Sequence, residues 1–130
     1  MGILLLFNGG LMLFSGLTSF ILKDGVTFEL TLSAFLVLSA GALMMLFGRQ
    51  HNKQIQKREG YLIVSLGWVL MSLSGTIPYL LSGAIPNFTA AFFETMSGYT
   101  TTGASILNDI EIIPKGVLFW RSTTHWIGGM

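Results

Sequence analysis

Residues 1–22, 30–48 and 60–93 contain no Asp, Glu, Lys or Arg, and these runs limit the fold more than any other feature. As helix, about 20 residues reach about 30 Å, the thickness of a bilayer's hydrocarbon core. Only 10% of the chain is charged and 52% is hydrophobic, whereas a soluble domain carries about a quarter charged residues to wet its surface. The first run lacks a basic leader, exceeds the apolar segment of a signal peptide, and meets Ser19-Phe20-Ile21-Leu22-Lys23 rather than a small-residue cleavage site. It is expected to remain as a span. Cysteine is absent, so no disulfide framework or thiolate metal site enters the argument.

Charge placement orients the spans. The segment from Arg49 to Glu59 holds Arg49, Lys53, Lys57 and Arg58, four of the seven basic residues, against one acid. The positive-inside rule puts that loop in the cytoplasm, with the N-terminus on the same side and Lys23-Asp24 outside. A basic patch for nucleic acid fits less well, because spans tether this loop at both ends; no nucleic-acid partner is expected.

The third run has 34 residues, too many for one crossing and too few for two with a turn. Pro78 and Pro86 divide it. A span is expected over about 61–81, with Tyr79 at the outer interface and Ser65, Ser72 and Thr76 on one packing stripe. The turn 82–87 follows. Thr89 or Asn87 can then cap a half-helix over about 88–98, broken by Gly98. The polar, small and β-branched stretch Thr100-Thr101-Thr102-Gly103-Ala104-Ser105 is expected to climb back as an extended strand to Asn108-Asp109-Ile110-Glu111. A fourth span begins near Val117, and the pattern stops part-way through it, as in the leading portion of a longer protein. The fold class expected is therefore an all-α polytopic membrane protein. Residues 1–60 form two leading transmembrane helices and the basic loop, and 61–130 form one M1-P-M2 unit with a re-entrant pore helix and an extended filter loop.

Non-helical backbone at membrane depth is tolerated only where protein buries it or it lines a wet cavity. A Thr/Gly strand there can turn carbonyls inward to replace a cation's hydration shell, as in potassium-channel filters. Gly103 permits a positive φ, and the negative end of the half-helix dipole faces the same region. The carbonyls of Thr101, Thr102, Gly103 and Ala104 are the candidate potassium ligands, with Thr100 and Ser105 flanking them. Glu94, a carboxylate at membrane depth, needs a partner; it can brace the backbone behind the filter, the preferred reading, or add negative potential for the cation. Arg121 is expected to pair with Glu94 or with filter-loop carbonyls. Asp109 and Glu111 can concentrate cations at the mouth or simply be solvated. His125 is preferred as a packing residue over a proton relay, and Trp68 and Trp126 as core or interface anchors. No cofactor is expected on this chain.

The run from Phe92-Phe93-Glu94-Thr95-Met96-Ser97-Gly98-Tyr99 to Ser105, with Leu118-Phe119-Trp120-Arg121-Ser122 and His125-Trp126-Ile127-Gly128-Gly129-Met130, closely resembles the Trk/Ktr potassium transporter family. The likeness is densest over 75–130; the two leading helices resemble the extra pair of the TrkH-type branch in hydropathy and position. Against the channel signature Thr-Val-Gly-Tyr-Gly, Gly103 is retained while Ala104 and Ser105 replace the tyrosine and second glycine. The resemblance implies potassium uptake in a bacterial inner membrane, as passive conduction or symport, and four M1-P-M2 repeats around one pore. It also implies a homodimer and a cytosolic nucleotide-binding regulatory ring of the TrkA/KtrA kind. Two alternatives differ in class. One is a homotetrameric M1-P-M2 channel subunit; the other is an intramembrane enzyme, disfavoured because no Gly-x-Ser-x-Gly elbow or His-Glu-x-x-His motif occurs.

The orientation gives a direct expectation. A topology reporter fused at Lys53 reads cytoplasmic, and fusions at Gly25 and Asp109 read external; an external signal at Lys53 would invert the arrangement.

Overall fold

The computed structural model describes residues 2–48 and 56–130, so Arg49 and Lys53, which carry much of the orientation argument, lie outside the described residues. Five helices account for most of the rest: α1 (Gly2–Leu22), α2 (Thr27–Gly48), α3 (Lys57–Leu81), α4 (Phe88–Tyr99) and α5 (Lys115–Gly129). The first three are long and apolar enough to cross a membrane.

The packing differs from that of a water-soluble bundle: beside a buried apolar cluster that includes Met12, Leu30, Val37 and Trp120, large apolar side chains stand exposed and small polar ones are buried. Phe28, Phe35, Phe47 and Tyr61 are at least 70% exposed, while Asn8, Ser15, Ser19, Ser33 and Ser72 are fully buried. Lipid tails solvate large apolar side chains as well as a protein core does, so helix contacts fall to small and polar residues that allow close approach or hydrogen-bond across. Of the serine stripe expected on α3, Ser72 and Thr76 are buried and Ser65 is exposed. Ser72 and Thr76 lie against α4, through Met96 Sδ at 3.3 Å and Thr95 Oγ1 at 3.5 Å. The Ser65 hydroxyl turns back to the Tyr61 carbonyl.

Helix α3 starts one turn before the expected residue 61. The Glu59 carboxylate accepts from the Gln56 backbone N–H at 3.3 Å, which satisfies a donor at the helix start and draws Lys57 and Arg58 into its first turn. Pro78 sits inside α3 near its other end. It has no N–H to give the Ser74 carbonyl, and its ring crowds that carbonyl out of the ladder. One residue on, the Gly75 carbonyl accepts from the Trp120 indole N–H at 3.1 Å. Trp120, fully buried, thus docks α5 on the Pro78 end of α3.

The turn between α1 and α2 fixes the other side of α5. Lys23 has φ 54°, and the N–H groups of Lys23 and Asp24 return to the Phe20 and Ser19 carbonyls, closing α1 in a Schellman turn. This aims the Asp24 carboxylate at the Gly116 N–H, 2.9 Å away, where a negative charge meets the positive end of the α5 dipole. Ser15 adds a hydrogen bond to the Gly116 carbonyl at 2.8 Å. The leading helices and the pore segment form one packed body.

Trp120→Phe removes the donor to Gly75 together with the five-membered ring of the indole. The lost hydrogen bond costs about 1–2 kcal/mol and the space left in a fully buried site adds to it, a loss read as a lower melting temperature of the detergent-purified full-length protein. An unchanged melting temperature would mean that another donor serves that carbonyl.

Candidate ion-pathway site

Helix α4 has 12 residues, about 18 Å, too short to cross a bilayer. Asn87 is its cap, accepting from the Thr89 N–H at 3.0 Å. Gly98 does not break the helix as the sequence suggested. It lies inside α4, and a Cβ there would collide with the Thr124 side chain of α5; its role is close approach. The helix stops at Thr101, which has φ 55°. The Thr101 N–H returns to the Gly98 carbonyl at 3.1 Å and the Thr102 N–H to the Ser97 carbonyl at 3.0 Å. This is a second Schellman turn, with threonine at the position glycine usually fills. Thr100 and Thr101 therefore belong to the helix's closing turn, and the irregular climb starts at Thr102 rather than Thr100.

Gly103 has φ 77°, a left-handed conformation that costs an L side chain about 1–2 kcal/mol. Residues Thr100 to Ser105 are all exposed on this chain. Their carbonyls differ. That of Thr100 accepts from the Thr101 hydroxyl at 2.7 Å, and that of Ala104 accepts from Ser97 Oγ at 2.6 Å. Those of Thr101, Thr102 and Gly103 have no hydrogen-bond donor among the described residues. Ala104, expected to be a fourth ligand, is thus tied back to the half-helix. The Thr102 hydroxyl contacts that of Thr100 at 2.8 Å.

Behind this loop lies Glu94, 1% exposed. Its carboxylate accepts from Ser105 Oγ at 3.0 and 3.1 Å and from the Ile106 N–H at 3.1 Å. The Arg121 Nε–H donates to it at 2.6 Å. Ser105 in turn accepts from the Leu107 N–H at 3.1 Å. Glu94 and Ser97, one turn apart on α4, hold the returning chain at Ser105–Ile106 and at Ala104. Sequence reasoning named Glu94 and Arg121 but missed Ser97, whose i, i+3 spacing from Glu94 was the available signal. It also missed Asn8 and Tyr99, whose pairing across 91 residues has no local signature. His125 accepts from or donates to nothing on the loop; its Nδ1 lies 2.9 Å from the Arg121 carbonyl one turn back. Asp109 Oδ1 accepts from the Glu111 N–H at 3.3 Å within an exposed turn. Trp68 meets Tyr99 edge-on at 6.5 Å, and Trp126 is largely exposed.

The described residues contain no cluster of three His, Asp or Glu side chains able to hold a metal ion. The groups this hairpin presents are backbone carbonyls at the negative end of a helix dipole, oxygen ligands of the kind that can replace the water around a monovalent cation. Apolar spans, a half-helix and a braced irregular return define a polytopic membrane protein with a pore-type hairpin. Comparison with known proteins makes that class specific. Residues 26–130 match the family model TrkH, cation transport protein, and the chain belongs to that family. The Trk system potassium uptake protein TrkH of Escherichia coli K12 is 37% identical over 131 residues, covering 99% of this chain and 27% of its own length. That of Halomonas elongata is 36% identical over 115 residues. The crystal structure of the potassium transporter TrkH from Vibrio parahaemolyticus superposes with a TM-score of 0.89 at 35% identity, over 98% of this chain and 28% of that one. The chain therefore spans about a quarter of the length of these relatives.

The Glu94–Arg121 pair makes an asymmetric prediction. Arg121→Gln leaves a carboxylate buried without its cation, whereas Glu94→Gln leaves an arginine whose side chain is 22% exposed and can reach water. Removing one partner of a buried pair costs about 3–5 kcal/mol. Thermal unfolding of the full-length protein should show Arg121→Gln as the more destabilising single change, with Glu94→Gln restoring part of the loss in the double variant. Equal, additive losses would contradict the pairing.

Proposed function

We propose that this chain is part of a potassium-uptake protein and supplies one side of its cation path through the carbonyls of Thr101, Thr102 and Gly103. The observation that carries this reading is the run of three successive exposed residues whose carbonyls have no donor among the described residues, at the C-terminal end of a half-membrane helix. Backbone carbonyls arranged this way replace water around a cation without the tight grip of carboxylates, so the ion can leave again. Glu94, Ser97 and Arg121 act from behind, holding the loop against the half-helix. Ala104 joins this bracing group, because coordination by its carbonyl would compete with the Ser97 hydrogen bond.

Potassium as the ion is supported by the relatives, two of them named as potassium uptake proteins and one as a potassium transporter. One hairpin gives one part of a coordination ring. Relatives several times longer than this chain favour further hairpins on the same polypeptide over assembly of four short subunits. In this reading the protein sits in a bacterial inner membrane with the N-terminus cytoplasmic. The full-length chain pairs as a homodimer on a cytosolic nucleotide-binding ring. The function is transport rather than catalysis.

Gly103→Ser in the full-length protein tests the site. A side chain at φ 77° costs about 1 kcal/mol or more and reshapes the carbonyl run. The apparent Km for potassium should rise and sodium should compete better. Thr102→Ser should change little, since serine keeps both the carbonyl and the hydroxyl that meets Thr100. Uptake by a potassium-transport-deficient bacterium across a potassium series, with sodium as competitor, gives the answer. Unchanged affinity and selectivity in Gly103→Ser would reduce the loop to a connector.

A further inference from the structure

One buried polar group lies far in sequence from the hairpin and is used by none of the contacts above. Asn8, on α1, has no exposed surface. Its Nδ2 donates to Ser74 Oγ at 2.8 Å, and its Oδ1 accepts from the Tyr99 hydroxyl at 2.6 Å. The network fixes which way the amide points. Ser74 Oγ already donates its proton to the Met71 carbonyl at 2.9 Å, so it must accept from Asn8, and the Asn8 oxygen is left for Tyr99. All three groups are satisfied, as a buried polar network in a membrane protein requires.

Tyr99 is the last residue of α4 and is fully buried. It is gripped on several sides. A Cβ at Gly75 would stand 3.2 Å from the Tyr99 ring and 2.6 Å from Thr95 Cγ2, so only glycine there admits both side chains. A Cβ at Gly128 would run into the Tyr99 carbonyl, which sets α5 directly against that backbone. From Tyr99 the chain passes into the Schellman turn, whose two hydrogen bonds tie Thr101 and Thr102 to the helix end, and Gly103 lies between these and the Ala104 carbonyl held by Ser97.

We propose that Asn8 is a positioning residue for the ion pathway. Through the Tyr99 hydroxyl it sets the end of the half-helix, and with it the carbonyls of Thr101 to Gly103, so the leading helix pair contributes to ion affinity and not only to anchorage. The inference rests on the carbonyl reading of that loop. Asn8 touches no ion; it acts through Tyr99.

The test uses the full-length protein with Asn8→Leu, Tyr99→Phe and the double variant, beside Gly103→Ser. Tyr99→Phe removes a single oxygen and keeps the ring packed at Gly75, so it remains informative if Asn8→Leu fails to accumulate. Potassium uptake kinetics, sodium competition and membrane abundance are measured in a transport-deficient strain. Each single variant should raise the apparent Km for potassium roughly three- to tenfold, the range one net hydrogen bond supplies. The double variant should be no worse than the worse single, because both changes delete the same bond. Uptake that falls only with abundance, at unchanged Km and sodium competition, would make Asn8 merely structural and overturn the proposal. So would effects that multiply in the double variant. If Gly103→Ser shifts Km while the Asn8 and Tyr99 variants do not, the positioning role alone fails. If Gly103→Ser is silent as well, the carbonyl reading fails and this inference falls with it.

Discussion

Glu94 is the point on which the hairpin depends. A carboxylate with no exposed side-chain surface at membrane depth is tolerable only if donors replace the water it has lost. It has them from three directions: a hydroxyl and an N–H from the returning loop, and the Arg121 guanidinium from α5. The requirement is reciprocal. Ile106 must place its backbone N–H somewhere, and irregular chain inside a membrane offers no neighbouring ladder to take it. One charged side chain on α4 thereby solves the backbone problem of the loop and draws α5 against both.

The leading helices are bound into the same body by the same kind of chemistry. Three points on or just beyond α1 reach the pore segment: Asn8 at Tyr99 and Ser74, Ser15 at the Gly116 carbonyl, and Asp24 at the Gly116 N–H. Asn8 and Ser15 are a heptad apart on one helix face, and Asp24 extends that line past the helix end. Apolar burial does little to hold helices together in lipid, so these few directed contacts and the close approach of small residues set the arrangement.

Large elements were legible in the sequence because lipid imposes strong composition rules on them. The uncharged runs gave the spans, and the surplus of residues in 60–93 gave the half-helix. Glu94 and Arg121 stood out because ionised groups in such a setting demand partners. What stayed hidden depended on three-dimensional proximity. Gly98 looks like a helix breaker, yet it is a contact with Thr124; composition cannot separate a glycine chosen for φ from one chosen for lack of a side chain. The Asn8–Tyr99 bond joins residues 91 apart, and an asparagine in an apolar run says only that a partner exists. Thr101 in a left-handed conformation runs against the preference of β-branched residues, so the sequence put the stop at Gly98, whereas the helix runs to Tyr99 and closes through Thr101.

That strained threonine has a physical rationale in the pattern of carbonyls. Glycine at residue 101 would close the Schellman turn with less strain, but it has no hydroxyl. Thr101 Oγ1 donates to the Thr100 carbonyl at 2.7 Å, and at the far end Ser97 Oγ donates to the Ala104 carbonyl at 2.6 Å. Two hydroxyls thus occupy the carbonyls just before and just after the free run and mark its limits. Between them only Gly103 needs the freedom of a missing side chain, because its φ of 77° has no hydroxyl contact to offset the strain. A loop built of glycine alone could adopt the same backbone, but without the Thr101 hydroxyl it would leave four successive carbonyls with no donor, because Ser97 on α4 would still hold that of residue 104. Threonine at residue 101 reduces the free run to three.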